Sequence, residues 1–280
     1  MKIERIPGMV LLLCAATAIC PASAAHDGWR ELEPGLELGE FPSPVAARSG
    51  DSIVRVVRVD PSVWEFALLN TSAPGEGELH TAGEWCARHG CVAAINASMY
   101  QTDYRRSVSL MRTRDHANNT YVSKDNTILA FDRLDDTVPP VQIIDRTCQD
   151  FAQVSGHYGT LVQSIRMISC HGNNVWEQQN RRYSTAAIAI DGAGRLLMIH
   201  CRSPYSTYDF IGILQDLPLD IANAMYVEGG PESQLCVYAG GERHEFVGSF
   251  ESGILESDLN RRAWPIPNVV SVRRRVGAGE

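Results

Sequence analysis

The chain has 280 residues, with 25 Lys+Arg against 33 Asp+Glu and a formal net charge of -8 at pH 7. An acidic chain without a basic block argues against nucleic acid and anionic membrane surfaces as partners, although one or two local arginines suffice for a phosphate-bearing small ligand. With 44% hydrophobic residues it suits one large domain or two small ones.

Lys2 and Arg5 precede an apolar run from Met9 to Ile19, and Ala22-Ser23-Ala24 follows as a small-residue cleavage site. This is the three-part layout of a secretory signal peptide over residues 1–25, too short for a bilayer span of roughly 20 residues. Ile19 before Cys20, where a lipoprotein anchor needs a small residue, argues against lipidation. No later stretch is apolar and long enough to cross a membrane, so no membrane span is expected. After cleavage near Ala24 or Ala25 the protein is expected to be secreted or periplasmic.

Cys14 and Cys20 leave with the signal, and Cys86, Cys91, Cys148, Cys170, Cys201 and Cys236 remain. An even count in an oxidising compartment favours disulfides, although sequence alone does not choose among the pairings. Cys86 and Cys91, joined by a helix–Gly–strand turn, are the first local pair to expect. No C-x-x-C or zinc spacing occurs.

Residues 26–50 are rich in Pro, Gly and charge and read as an arm laid on a domain spanning 51–273, with 274–280 a tail. Ser52 to Val59 alternates apolar residues with Arg55 and Arg58 as a strand, and Trp64 to Leu69 reads as its hairpin partner. Thr81 with Glu84 forms a capping box for a short helix that Gly90 stops. Cys91 to Asn96 is a buried strand ending on a polar residue. Further strands are expected at Thr127 to Phe131 and Leu161 to Ile168. Ala186 to Asp191 and Arg195 to His200 flank Gly192-Ala193-Gly194 as a hairpin. Thr207 to Leu217 sets Phe210, Ile213, Leu214 and Leu217 on one helical face before Pro218. Ala224 to Val227 is an apolar strand that delivers Glu228 to its end and breaks into Gly229-Gly230-Pro231. Pro265 to Val272 closes the sheet. The elements define a single α+β domain with a mixed β-sheet core and few helices.

Polar residues arriving at strand ends beside small ones make the usual pattern of a preformed pocket: Asn96 before Ala97-Ser98-Met99-Tyr100, Gln163-Ser164, and Glu228-Gly229-Gly230. Paired glycines let backbone N–H groups approach a ligand. The ordinary reading of each is a strand terminator, a solvated Glu and a turn.

In their order and surroundings, Ile95 to Tyr100, Gln163 to Ile168, Ala187 to Asp191 and Val227 to Pro231 resemble the phosphodiester glycosidase family, roughly from Ser52 to Val272. The chain departs from that pattern at several points. Asn96-Ala97-Ser98 stands for the family's Asn-Gly-Gly or Asn-Ala-Gly, and Glu228 for an Asp. Thr185 takes the place of an Arg, and Ile165-Arg166 that of a small residue and Pro. Arg182 matches an upstream Arg of some relatives.

The resemblance implies hydrolysis of the glycosidic C–O bond of a sugar-1-phosphodiester or phosphoglycan. The demands are stabilising an oxocarbenium-like centre, orienting water and offsetting phosphate charge. Glu228 is then the base or sugar-hydroxyl acceptor, Arg182 the phosphate fork, and Asn96 a hydrogen-bonding partner of sugar or phosphate. Gly229, Gly230, Ser233, Gln163, Arg166, Thr185 and Tyr100 form the expected substrate contacts. No cofactor or metal is expected; the acidic loop Asp132 to Asp136 offers calcium ligands without a regular spacing. Two other classes stay open: a secreted glycan-binding protein that keeps the pocket without the chemistry, and a disulfide-stapled envelope protein.

Overall fold

The computed structural model describes Met1 and residues 28–275, so the expected signal peptide, apart from Met1, and the last five residues of the tail lie outside the described residues. In chain order the elements begin with β1 (Trp29–Glu33), β2 (Leu36–Pro42), β3 (Ile53–Val59), β4 (Trp64–Asn70), α1 (Ala82–His89) and β5 (Ala93–Asn96). Next come β6 (Met111–Arg112), β7 (Ala117–Asn119), β8 (Thr127–Arg133), β9 (Val141–Asp145), α2 (Phe151–Val154) and β10 (Tyr158–Ile168). The last are β11 (Tyr183–Asp191), β12 (Leu196–Tyr205), α3 (Thr207–Asp216), β13 (Ile221–Gly229), β14 (Gln234–Ala239), β15 (Glu242–Val247) and β16 (Asn268–Arg274).

The strands form two sheets. The larger runs β1-β2-β3-β12-β11-β13-β10-β6-β7, with β8 and β9 branching from β10; the smaller runs β15-β14-β5-β16-β4. The sheet core with few helices is present, and the paired strands run antiparallel. Alternation along each strand explains the layering. Val57, Ile188, Met198 and Val227 of the large sheet face Ile95, Val237 and Val270 of the small one. The opposite face of the large sheet, with Ala187, Ile199 and Tyr226, is covered by Phe210, Ile211, Ile213 and Leu214 of α3. Each Val, Leu, Ile, Met or Phe side chain among them contributes about 1.5–3 kcal/mol on burial.

Helix α1 covers the small sheet's outer face through Trp85 and Cys86, which pack on Ala94, Cys236 and Val269. Its capping box forms as the sequence requires: Glu84 N donates to Thr81 Oγ1 at 3.2 Å, and Thr81 N donates to Glu84 Oε2 at 2.7 Å. Gly90 stops it with φ +65°.

Three expectations are corrected. β3 and β4 are not hairpin partners: β3 lies between β2 and β12, whereas β4 pairs with β16 in the other sheet. The turn at Asp60 carries the chain across the sandwich, because Val57 and Val59 on one side and Trp64 and Leu68 on the other face the same core. Residues 26–50 are not merely an arm, since β1 and β2 extend the large sheet beyond β3. Cys86 and Cys91 are not bonded to each other; the disulfide is Cys148–Cys170. Gly90 turns the Cys91 N–H back onto the Cys86 carbonyl at 3.1 Å, so the backbone closes there while the Cys86 sulfur turns to Cys236.

Candidate active site

Strand β13 lies between β11 and β10, near the middle of the large sheet, and its last residues reach the sheet's end. Tyr226 and Glu228, two residues apart, share one face, while Met225 and Val227 enter the inter-sheet core. The register slips between Tyr226 and Glu228 against Ala187 and Ala186, a bulge that aims the strand end. Beyond it the chain turns through Gly230, whose φ of +68° suits glycine, into a single turn at 230–232.

The turn is fixed from below. Asn96, at the end of β5, donates from Nδ2 to the Glu232 carbonyl at 3.0 Å and accepts the Gln234 N–H on Oδ1 at 2.7 Å. Ser233 Oγ donates to the Gly230 carbonyl at 2.9 Å. Both residues are buried, and both hold backbone.

Above the strand end opens a cavity of about 370 Å³. Glu228, Glu232 and Glu251 line it with Arg181, Tyr183 and Tyr226; Met99, Ile165, Trp176 and Thr207 supply much of the rest. Trp176 is held by its indole N–H, which donates to the Arg166 carbonyl at 2.7 Å, and its ring lies 6.1 Å from that of Tyr226.

Glu228 is only 8% exposed, and its Oε1 accepts the N–H of Gly229 at 2.9 Å. Burial pushes its pKa up to about 8, the Gly229 N–H pulls the other way, and the charges of Glu232 and Glu251 add to the rise. Glu251 is also raised, by burial and then by Glu232, with Arg181 opposing. Burial, and then the charge of Glu228, raises the pKa values of Tyr226 and Tyr100. The arrangement can therefore present a neutral carboxyl, a charged carboxylate and a guanidinium within one cavity.

Of the residues picked from sequence, Glu228 and Gly229 line this cavity. Tyr100 lies close enough to feel the charges of Glu228 and Glu232. Thr185 is buried directly across the ladder from Gly229. Arg182 is not part of the lining; its N–H donates to Ser252 Oγ at 2.9 Å, and the neighbouring Arg181 takes the place expected of it.

Gln163 is fully buried and spends its amide on a loop, donating to the carbonyls of Ser123 and Asp125 and accepting the Ser123 N–H. Arg166 faces a second cavity of about 500 Å³ with Lys124, Asn126 and Gln178; Ile165, Trp176 and Gln179 form the wall common to both cavities. Its guanidinium donates to both carboxylate oxygens of Asp145, at 3.0 and 3.2 Å, and to Thr147 Oγ1 at 2.9 Å. Although burial alone raises Asp145, Thr147, the Cys170 N–H and Arg166 bring its pKa below the usual carboxylate range.

Arg181, Glu232, Glu251 and Trp176 escaped sequence reasoning. Arg181 adjoins the sequence candidate Arg182 by one position. Glu251 arrives from the loop after β15 through a bridge to Tyr183, a contact with no local signature. In the acidic loop, Asp132 pairs with Arg114, Asp135 with His157 and Asp136 with Arg133, so these carboxylates are engaged with side chains of the chain. Among the described residues the one cluster with metal-ligand character is Cys148, Cys170 and His171, and two of its sulfurs form the disulfide.

Fold and cavity define a two-sheet β-sandwich with a carboxyl-lined cavity at the end of a central strand. A family model for phosphodiester glycosidase matches residues 89–273, and the chain belongs to that family of glycosidase hydrolases. No curated protein matches it in sequence. The fold is similar to the zebrafish N-acetylglucosamine-1-phosphodiester alpha-N-acetylglucosaminidase catalytic domain, a structure auto-inhibited by its pro-peptide. The TM-score is 0.61 at 14% identity, over 88% of this chain and 86% of that one. It is also similar to a hypothetical protein from Synechocystis, with TM-score 0.58 at 14% identity, over 86% of this chain and 62% of that one.

Proposed function

We propose that this protein is an exported hydrolase that cleaves the glycosidic C–O bond of a sugar-1-phosphodiester, with the reacting sugar seated against Glu228. The observation that carries this reading is the buried Glu228 carboxyl, pushed up to about 8, beside Glu232 and Glu251 in one cavity. Family membership supplies the reaction class. Export rests on the charged, apolar and small-residue segments of the first 25 residues.

At neutral pH Glu228 keeps its proton, so it acts as a hydrogen-bond donor and acid rather than as the base its sequence position suggested. It gives that proton to a phosphoryl oxygen as the C1–O bond breaks and the electron pair leaves with the phosphate. Glu232 or Glu251 takes a proton from the water whose oxygen bonds to C1. The products are free sugar and a phosphomonoester. A neutral Glu228 also avoids the repulsion that an ionised one would exert on the phosphodiester, and Arg181 offers the offsetting charge.

One observation favours a second reading. Even with Glu228 neutral, Glu232 and Glu251 outnumber Arg181 in the lining, a balance that suits an uncharged glycan held without turnover. Turnover in oxygen-18 water separates the readings. Label in the released sugar is the expected outcome; label confined to the phosphate overturns glycosidic cleavage, and binding without turnover across a panel of sugar-1-phosphodiesters establishes the second reading.

A further inference from the structure

Cys86 on α1 and Cys236 on β14 are each 1% exposed, and their sulfurs stand 3.4 Å apart across 150 residues of chain. Cys91 belongs to the same buried cluster, with Trp85, Ala94 and Val269 around it. A sulfur–sulfur bond of about 2.05 Å requires the pair to close by little more than 1 Å, within what side-chain rotation supplies. We propose that Cys86 and Cys236 form a second disulfide when the chain folds under oxidising conditions, leaving Cys91 and Cys201 as buried thiols.

Position gives this bond a consequence for the candidate site. Two residues before Cys236, the Gln234 side chain accepts the Ala82 N–H at the start of α1 at 3.0 Å, and the Gln234 backbone N–H donates to Asn96 Oδ1 at 2.7 Å. Asn96 in turn holds the Glu232 carbonyl of the turn beside Glu228. A bond from Cys86 to Cys236 therefore ties α1 covalently to the strand that leaves this turn, parallel to the hydrogen bonds that already join them. Cys91 is the competing partner, because its thiol also approaches that of Cys86, and peptide mapping decides between the two.

In forming the bond two S–H bonds break and one S–S bond forms. Two electrons and two protons pass to a disulfide oxidant, reducing oxidised glutathione, for instance, to two thiols. Because both sulfurs are shielded from solvent, the exchange takes place during folding, before α1 closes over the small sheet.

The test is to fold the full chain with oxidised glutathione, alkylate remaining thiols after acid quenching, and map peptides without reduction. A linked peptide containing Cys86 and Cys236, with Cys91 and Cys201 alkylated, is expected, and the C91S variant should keep the link. A second readout uses a C148S/C170S variant, in which the surface disulfide is gone. Reductant should lower its melting temperature by roughly 5–15 °C. A Cys86–Cys91 link as the major species, or Cys86 recovered alkylated from oxidatively folded protein, overturns the assignment.

Discussion

The Tyr226 hydroxyl lies against the α-carbon of Gly229: a methyl group placed there would sit 2.0 Å from Oη. The glycine is thus required by the neighbouring phenol, and its φ of -136° is one that any residue adopts. Tyr226 is buried and backed by Trp176, so it has little room to retreat. Gly229→Ala is expected to cost about 1–3 kcal/mol, the range for overpacking a filled site. Combining it with Tyr226→Phe, which removes Oη and leaves the nearest ring carbon at 3.2 Å, should recover much of that loss. Urea unfolding of the two single variants and the double variant measures the coupling; simple additivity would sink the steric account.

Glu228 makes stability fall as pH rises. Its folded pKa of about 8 exceeds the ordinary 4.5, so below pH 4.5 both folded and unfolded chains hold the proton and nothing is lost. Between 4.5 and 8 the unfolded chain releases it while the folded chain keeps it, and stability declines; above about 8 the penalty is complete, on the order of 5 kcal/mol. Glu228→Gln should remove this slope, making the variant more stable than the wild type at pH 9 and similar near pH 4. Turnover by the wild type should drop as pH passes about 8, when the acid form is lost. Denaturant unfolding and initial rates from pH 4 to 9 check both statements, and a variant whose stability keeps the wild-type slope would show that Glu228 is not its source.

How far the sequence discloses this molecule depends on whether a feature is local. The α1 capping box, the Gly192–Gly194 hairpin, the α3 helix and the strand ending at Glu228 all follow from periodicity and turn chemistry within a dozen residues. The pairing of β3 with β12, and of β4 with β16, does not, because a tight turn between two strands reads alike whether they share a sheet or face each other across a core. Asn96 and Gln163 were legible as special, but whether they serve a ligand or the backbone was not. Polar residues at strand ends signal either a ligand or a backbone to be fixed, and here both bind backbone. Glu251 had no signal, since its approach to Glu228 is set by a loop after β15. The raised pKa of Glu228 was hidden for a related reason: the cavity it lines is built with Tyr226, with Trp176 from the loop before β11 and with Thr207 of α3, which local sequence does not bring together.

Arg181 and Arg182 offer a direct test of which cation meets the phosphate. Arg181 lines the cavity and its charge acts on Glu251, whereas Arg182 is not part of the lining and its backbone pairs with Ser252. Arg181→Ala should raise KM for a sugar-1-phosphodiester by about 3–30-fold, a loss at the lower part of the range for charged hydrogen bonds because Arg181 is exposed. Arg182→Ala should change KM less than about 2-fold. Michaelis kinetics on both variants decide, and the opposite ranking would return the phosphate to Arg182.

Arg166 is expected to matter for stability and hardly at all for phosphodiester binding. Its partner Asp145 is fully buried, so removing the guanidinium strands a carboxylate that keeps only Thr147 and the Cys170 N–H as donors. Breaking such a pair from one side costs about 3–5 kcal/mol, whereas replacing both partners by neutral residues of similar shape costs less. Arg166→Ala should therefore destabilise strongly, and Arg166→Met with Asp145→Asn should be markedly more stable than the two single losses summed. The single variant should also gain more stability on acidification than the wild type, because protonating Asp145 removes the unpaired charge in addition to the gain from Glu228 that both share. Guanidinium unfolding at pH 4 and pH 7 provides the comparison. A single variant as stable as the wild type at pH 7, with weakened phosphodiester binding, would instead make Arg166 a ligand-binding cation.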